Sequence, residues 1–163
     1  VRFVHESIGT AAIAEKYIEG RELYVGILGN SVLQALPVWE LFFTNMPEGA
    51  RRIATDRVKW SAKYQKKYGI DSGPARALSE EVAGTIQHLC KRAFRALDLS
   101  GYARIDLRMD EAGRVWVLEA NPNPQIARGE DFAAAAEKAG LSYETVLQRI
   151  INLGLRWQPE SVA

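Results

Sequence analysis

An arginine, two acids and a carboxamide recur at two-residue spacing on neighbouring runs of the chain, Arg104-Ile-Asp106 and Glu119-Ala-Asn121. Residues two apart on a strand point the same way. From Arg104 onward, Tyr102 to Met109 alternates polar and apolar, so Arg104, Asp106 and Arg108 share one face while Ile105, Leu107 and Met109 share a core-facing one. Arg114 to Asn121 is apolar until it reaches Glu119 and Asn121. The intervening Asp110-Glu-Ala-Gly113 carries turn chemistry, with Gly113 able to take the positive φ that closes a hairpin. An even-length loop pairs Met109 with Arg114; counting back, Arg104 faces Glu119 and Asp106 sits diagonal to it. Opposed and diagonal residues lie roughly 5 to 8 Å apart, close enough for Asp106 and Glu119 to share one metal ion. Magnesium takes about six oxygens, usually from one or two carboxylates, water and substrate phosphates, so Asp106, Glu119 and the Asn121 side-chain oxygen make an open half-shell. The bland alternative is an Arg104–Glu119 ion pair with Asn121 merely opening the loop Pro122-Asn-Pro124.

The elements that must position these residues follow from periodicity and caps. Ser79 to Leu97 reads as a helix, with Ser79 as N-cap, Glu80 and Glu81 in the first turn, and a stripe of Val82, Ile86, Leu89, Cys90, Phe94 and Leu97 to pack on a sheet. Ala11 to Ile18, Glu22 to Leu28 and Ser31 to Leu36 read as strands of a meander. Pro37 to Thr55 is mixed, with Pro37 confined to an edge or strand end and a turn at Met46-Pro-Glu-Gly49. Lys59 to Gly73 reads as a mobile loop or short helix. Glu130 to Ala139 and Tyr143 to Leu155, the latter capped by Ser142, read as helices. Val1 to Ser7 reads as the last turns of a helix ended by Gly9, so something is expected to precede Val1.

With 163 residues, 47% hydrophobic and 25% charged, the chain is ordinary globular material, and a single domain spanning 1–163 is the default. A net charge of +1, with acids and bases mixed along the chain, gives no footing for a nucleic-acid or membrane-surface reading. The single Cys90 excludes an internal disulfide, and no apolar stretch of about 18 residues is present. Cytoplasmic residence fits. Cys90 reads as a small buried hydrophobe, Trp60 and Trp116 as packing residues, and His5 and His88 have no partners at ligand spacing.

R-x-D, a turn, and an apolar strand ending Leu118-Glu-Ala-Asn-Pro-Asn-Pro124 resembles the metal-binding end of ATP-grasp ligases, specifically the D-alanine:D-alanine ligase group. Upstream, Ala14-Glu-Lys-Tyr-Ile-Glu-Gly-Arg-Glu-Leu-Tyr-Val-Gly26 is similar to that family's adenine hinge and following strand. The resemblance implies an α+β ATP-grasp catalytic domain, an antiparallel sheet backed by helices, with hinge strands and a mobile loop in 1–78 and the helix, metal hairpin and closing helices in 79–163. It implies ATP and two magnesium ions (manganese as a substitute), with Asp106, Glu119 and Asn121 as ligands and Glu119 bridging. It places adenine against Glu15, Lys16, Tyr17, Ile18 and Leu118, and ribose on Glu22. Arg104 would stabilise the acyl phosphate and tetrahedral intermediate, and Lys63 would reach the γ-phosphate, although Lys59, Lys66 and Lys67 crowd the same segment.

The implied activity is ligation of a small-molecule carboxylate to an amine through an acyl phosphate, with a homodimer as a possible assembly. The chain is expected to be part of a longer protein whose preceding residues carry the phosphate lid and first substrate domain, and to be inactive alone. After Asn121 the chain departs from the group's pattern: Gln125 stands where a glycine is expected, and Glu130 near a serine that contacts the acceptor. A D-alanine acceptor is therefore in doubt, and Arg128, Glu130 and Asp131 suggest a more polar one. Two other classes compete: a noncatalytic nucleotide-binding or assembly module, against which the intact metal set speaks, and a metal-dependent phosphoesterase, which needs no adenine hinge.

Overall fold

Alternation along one central strand divides the molecule into layers. In the computed structural model, which describes residues 1–158, this is β1 (Arg21–Leu28). Its Leu23, Val25 and Ile27 enter one core cluster, while Tyr24 and Leu28 enter a second on the opposite face. The remaining strands are β2 (Gln34–Ala35), β3 (Trp39–Phe43), β4 (Ile70–Pro74), β5 (Tyr102–Met109) and β6 (Val115–Asn121). They form one antiparallel sheet in the order β4-β3-β1-β5-β6, with β2 also paired to β1.

Helix α3 (Glu80–Ala96) covers the first face, inserting Ile86, Cys90 and Phe94 at four-residue steps against Leu23, Val25, Ile105 and Leu107. Its expected cap is present: Ser79 Oγ accepts from the Val82 amide at 3.2 Å. Val82 and Leu97, expected in the stripe, lie exposed at its two ends. Helices α4 (Asp131–Lys138) and α5 (Tyr143–Leu155) cover only part of the second face, through Phe132, Ala135, Ala136 and Val146 packed on Leu28 and Leu36. Gly26 is required beneath them, because a Cβ there would stand 2.9 Å from the Phe132 ring and 2.7 Å from Leu36. Beyond this cover, the second face carries Glu22, Arg104, Asp106 and Arg108.

Several expectations needed correction. Ala11 to Ile18 is not a strand; both sides of β1 are taken by β5 and by β2 and β3, which leaves it no ladder on β1 to join. Of Ser31 to Leu36, only Gln34–Ala35 pairs. The mixed stretch contains β3, whose aromatic run Trp39-Glu-Leu-Phe-Phe43 is the missed signal. Lys59 to Gly73 holds the end of α1 (Asp56–Trp60), then α2 (Ala62–Tyr68) and most of β4. Ser61 starts α2 by accepting from the Tyr64 amide, and Gly69 stops it at φ 58°. The N-terminal reading matches: a π-helical turn, Val4–Ile8, ends at Gly9 in the left-handed region. Among the described residues no helix is long and apolar enough to cross a membrane.

Candidate active site

The hairpin's geometry differs from the simple count and suits a shared ion better. Met109 pairs with Val115, not Arg114, so the connecting segment is of odd length. Continued unchanged, that register would turn Glu119 to the face of Ile105, toward α3. An irregularity between Asp106 and Leu107 leaves Leu118 without a partner and restores the parity. Asp106 therefore directly opposes Glu119, and Arg104 opposes Asn121. Gly113 closes the turn at φ 77°, with its amide donating to the Asp110 carbonyl at 3.0 Å. The strand itself, apolar until Glu119, forms the sheet edge, with Trp116, Val117 and Leu118 exposed by 40 to 48%.

Asp106 is buried, and both its oxygens accept from Arg104, from Nε and Nη2 at 2.7 Å each. Its pKa is raised, first by desolvation; the Arg104 fork opposes this, and the facing Glu119 adds to it. Arg104 stacks over the Tyr24 ring at 4.6 Å. Burial opposes its charge, but the fork to Asp106 outweighs that and raises its pKa. The Arg104–Glu119 ion pair considered from sequence is replaced by this Arg104–Asp106 pair.

Glu22 is held more firmly than a free ribose acceptor. It is buried and accepts from Tyr24 Oη at 2.9 Å, Arg108 Nη1 at 3.0 Å and the Ala54 amide at 3.3 Å. Arg108 also donates to the Arg52 and Gly20 carbonyls and lies 5.2 Å from the Tyr17 ring. Burial, followed by the charges of Glu22 and Asp106, pushes the Tyr24 pKa well above its ordinary value, so its phenol stays protonated and donates. Sequence reasoning did not assign Arg108 or Tyr24; their signal was polar or amphipathic side chains on the Asp106 face of otherwise apolar strands.

Of these residues, Glu22, Asp106 and Arg108 line a cleft of about 560 Å³, within the size range of cofactor sites. Glu15, Lys16, Tyr17 and Ile18 line it together with Glu22, Asp106, Leu118 and Glu119, joining both ends of the sequence motif pair. Trp116 lines it as well, instead of packing inside. Arg104 and Asn121 line an adjoining cavity of about 480 Å³, which shares Ala54 and Lys59 with the cleft. Lys63 is exposed on α2 and lines neither; Lys59 lines both.

The donor set fits a hard divalent cation. Two opposed carboxylates, one destabilised in its charged form, gain from a cation between them. A carboxylate offers about four lone-pair sites, of which Arg104 uses two on Asp106. Asn121 Oδ1 accepts only from the Asn123 amide among the described residues. No set of three or more His, Cys, Asp and Glu side chains is placed to hold a metal among the described residues; Asp106 and Glu119 line the cleft, and Asn121 lines the adjoining cavity.

An antiparallel sheet backed by helices, with an edge hairpin whose Asp106 and Glu119 line one cleft with Glu15 to Ile18, agrees with the ATP-grasp fold that the resemblance implies. Residues 6–152 match the family model described as D-ala D-ala ligase C-terminus, and the chain belongs to this family. It is similar to an uncharacterised protein of Sinorhizobium fredii, 30% identical over 156 residues, covering 96% of this chain and 44% of that protein. It is also similar to the D-alanine–D-alanine ligase of Desulfotalea psychrophila, 33% identical over 145 residues, covering 89% of this chain and 42% of the ligase. Among solved structures, the ATP complex of the Bacillus anthracis D-alanine–D-alanine ligase shares the fold, with a TM-score of 0.64 at 24% identity, covering 87% of this chain and 40% of that one. The chain spans less than half the length of these relatives.

Proposed function

We propose that this chain is the ATP-binding, catalytic portion of a ligase that joins a carboxylate to an amine through an acyl phosphate. The observation that carries the reading is the single cleft walled by Glu15, Lys16, Tyr17 and Ile18 on one side and by Asp106, Leu118 and Glu119 on the other. A phosphoesterase has no use for the first wall. Family membership supports the reading, as does the ATP held by the Bacillus anthracis relative.

In this reading the Lys16 and Ile18 backbone meets the adenine edge, Glu15 accepts from its amino group, and Tyr17 and Leu118 pack against the ring. Glu22 keeps a free lone pair for ribose, while Arg108 fixes its orientation. Asp106, Glu119 and Asn121 would hold magnesium, which neutralises phosphate oxygens and favours in-line transfer. Arg104 sets its fixed charge beside the adjoining cavity, where the acyl phosphate and its tetrahedral adduct would form. Lys59 is the lysine within reach of phosphate in this conformation; Lys63 would need α2 to move. The chain alone is expected to bind nucleotide without turnover.

Calorimetry with ATP and magnesium tests the reading. Binding is expected, with the magnesium dependence lost in Glu119→Gln and nucleotide affinity lowered about tenfold or more in Glu15→Ala. Absent binding, or binding indifferent to Glu119→Gln, would favour a noncatalytic module. Indifference to Glu15→Ala would favour a phosphoesterase.

A further inference from the structure

We propose that Glu22 receives only one of the two ribose hydroxyls, and that Tyr24 is the positioning residue that sets which one. The inference rests on the ligase reading above, in which Glu22 meets the ribose, and narrows what that contact can be.

The acceptor capacity of Glu22 is nearly used up inside the protein. Each carboxylate oxygen offers about two lone-pair sites. Among the described residues, Oε2 accepts from Arg108 Nη1 at 3.0 Å and from the Ala54 amide at 3.3 Å, which fills it. Oε1 accepts from Tyr24 Oη at 2.9 Å and keeps one site. A vicinal diol donating from both hydroxyls would need two. One ribose hydroxyl can therefore bond the carboxylate, through Oε1, and the other finds no acceptor on it.

The three donors are held from separate directions, so a second site does not open by a swing of one side chain. Arg108 faces Glu22 across the β1–β5 ladder, and its bonds to the Arg52 and Gly20 carbonyls, at 2.8 and 2.9 Å, fix the guanidinium. The Ala54 amide belongs to the main chain just ahead of α1. Tyr24 lies two residues beyond Glu22 on the same face of β1, 5% exposed, with its ring in the second core cluster. Asp106 opposes it in the ladder, and the Arg104 guanidinium lies 4.6 Å from the ring centroid.

A phenol has a single proton to donate, and here burial and the neighbouring acids keep that proton bound. Turning it away from Glu22 would strand a buried hydroxyl and remove a donor from a buried carboxylate, both costly. The place of the Tyr24 ring thereby decides which side of Oε1 stays open. A site that bonds a substrate hydroxyl rejects the analogue lacking it, whereas a hydroxyl with no partner is dispensable. Recognition of the two ribose hydroxyls should be unequal.

The test is calorimetry on the full-length protein with magnesium present, comparing ATP, 2′-deoxy-ATP and 3′-deoxy-ATP. One of the two analogues is expected to bind about tenfold or more weakly than ATP, and the other within about twofold of it. Tyr24→Phe keeps the ring against Arg104 and frees a second site on Oε1. The analogue tolerated before should then bind about threefold or more weakly than ATP. Each result is a ratio within one protein, so a general loss of affinity leaves it unmoved. Should Tyr24→Phe fail to fold, the two analogues on the unmodified protein still decide. If that protein binds ATP but rejects both analogues alike, or neither, the proposal is overturned while the ligase reading stands. Ratios unchanged by Tyr24→Phe overturn the role of Tyr24. Failure of the unmodified protein to bind ATP overturns both readings.

Discussion

Replacing Arg108 by Met should test the cleft's internal scaffold. The side chain is 4% exposed, and it donates to Glu22 at 3.0 Å, to the Arg52 carbonyl at 2.8 Å and to the Gly20 carbonyl at 2.9 Å. Met fills similar volume but leaves Glu22, itself 6% exposed, as a buried charge supported only by Tyr24 and the Ala54 amide. Breaking one side of such a buried pair costs about 3 to 5 kcal/mol. At about 2 to 4 °C per kcal/mol for a chain of this size, the midpoint of thermal unfolding should fall by roughly 6 to 20 °C. Glu22→Gln should also destabilise, by leaving Arg108 unpaired. The double variant should cost less than the sum of the two by at least about 2 kcal/mol, because the second change removes the charge that the first stranded. Urea unfolding followed by circular dichroism measures all four corners of the cycle. Single costs below about 1 kcal/mol, or strict additivity, would refute the view that Arg108 and Glu22 are one unit. Because Arg108 also bonds Gly20 and faces Tyr17, its loss should weaken nucleotide binding even in protein that remains folded.

Glu119→Gln should stabilise the metal-free protein at neutral pH by under about 1 kcal/mol, the modest size reflecting Glu119's exposure to screening solvent. Asp106's folded pKa is raised, so its contribution is full below the unfolded value near 4 and is lost as pH rises through the folded one. Glu119 adds to that rise, so the variant's advantage should appear above about pH 4 and vanish below it; a less stable variant at pH 7 would contradict this. Cys90, on the sheet-facing side of α3, is wholly buried, and burial pushes its thiol up to about 12. It should therefore resist thiol reagents at pH 8 and react only at the rate of unfolding; rapid labelling of folded protein would show that α3 does not seal the sheet.

How far the sequence reveals this molecule depends on whether each signal is local. Ser79 as a cap and the stripe Ile86, Cys90 and Phe94 are set within one helix, and they appear where periodicity predicts them. Alternation in β5 likewise divides Arg104, Asp106 and Arg108 from Ile105 and Leu107 without reference to any partner. β3 and β4 escaped because their ladder lies between segments about 30 residues apart, Trp39 pairing with Pro74 and Phe43 with Ile70, and neither alternates cleanly. Arg108's role was invisible for a similar reason, since its partner Glu22 is 86 residues away.

The hairpin shows the same division within a single motif. That Asp106 and Glu119 meet was legible from the two-residue spacing, but the route to that meeting was not. An odd connection would have sent Glu119 into the core, and the unpaired Leu118 reverses the error. The two irregularities cancel in parity but not in register, so the acids sit opposite instead of diagonal. The unpaired residue serves the cleft as well, since Leu118 lines the wall where an adenine ring would pack. A bulge that corrects the facing of Asp106 and Glu119 and also sets Leu118 in the cleft wall ties the two features together through one residue. That coupling explains why a regular strand of the same composition, however well it paired, would not build the same cleft.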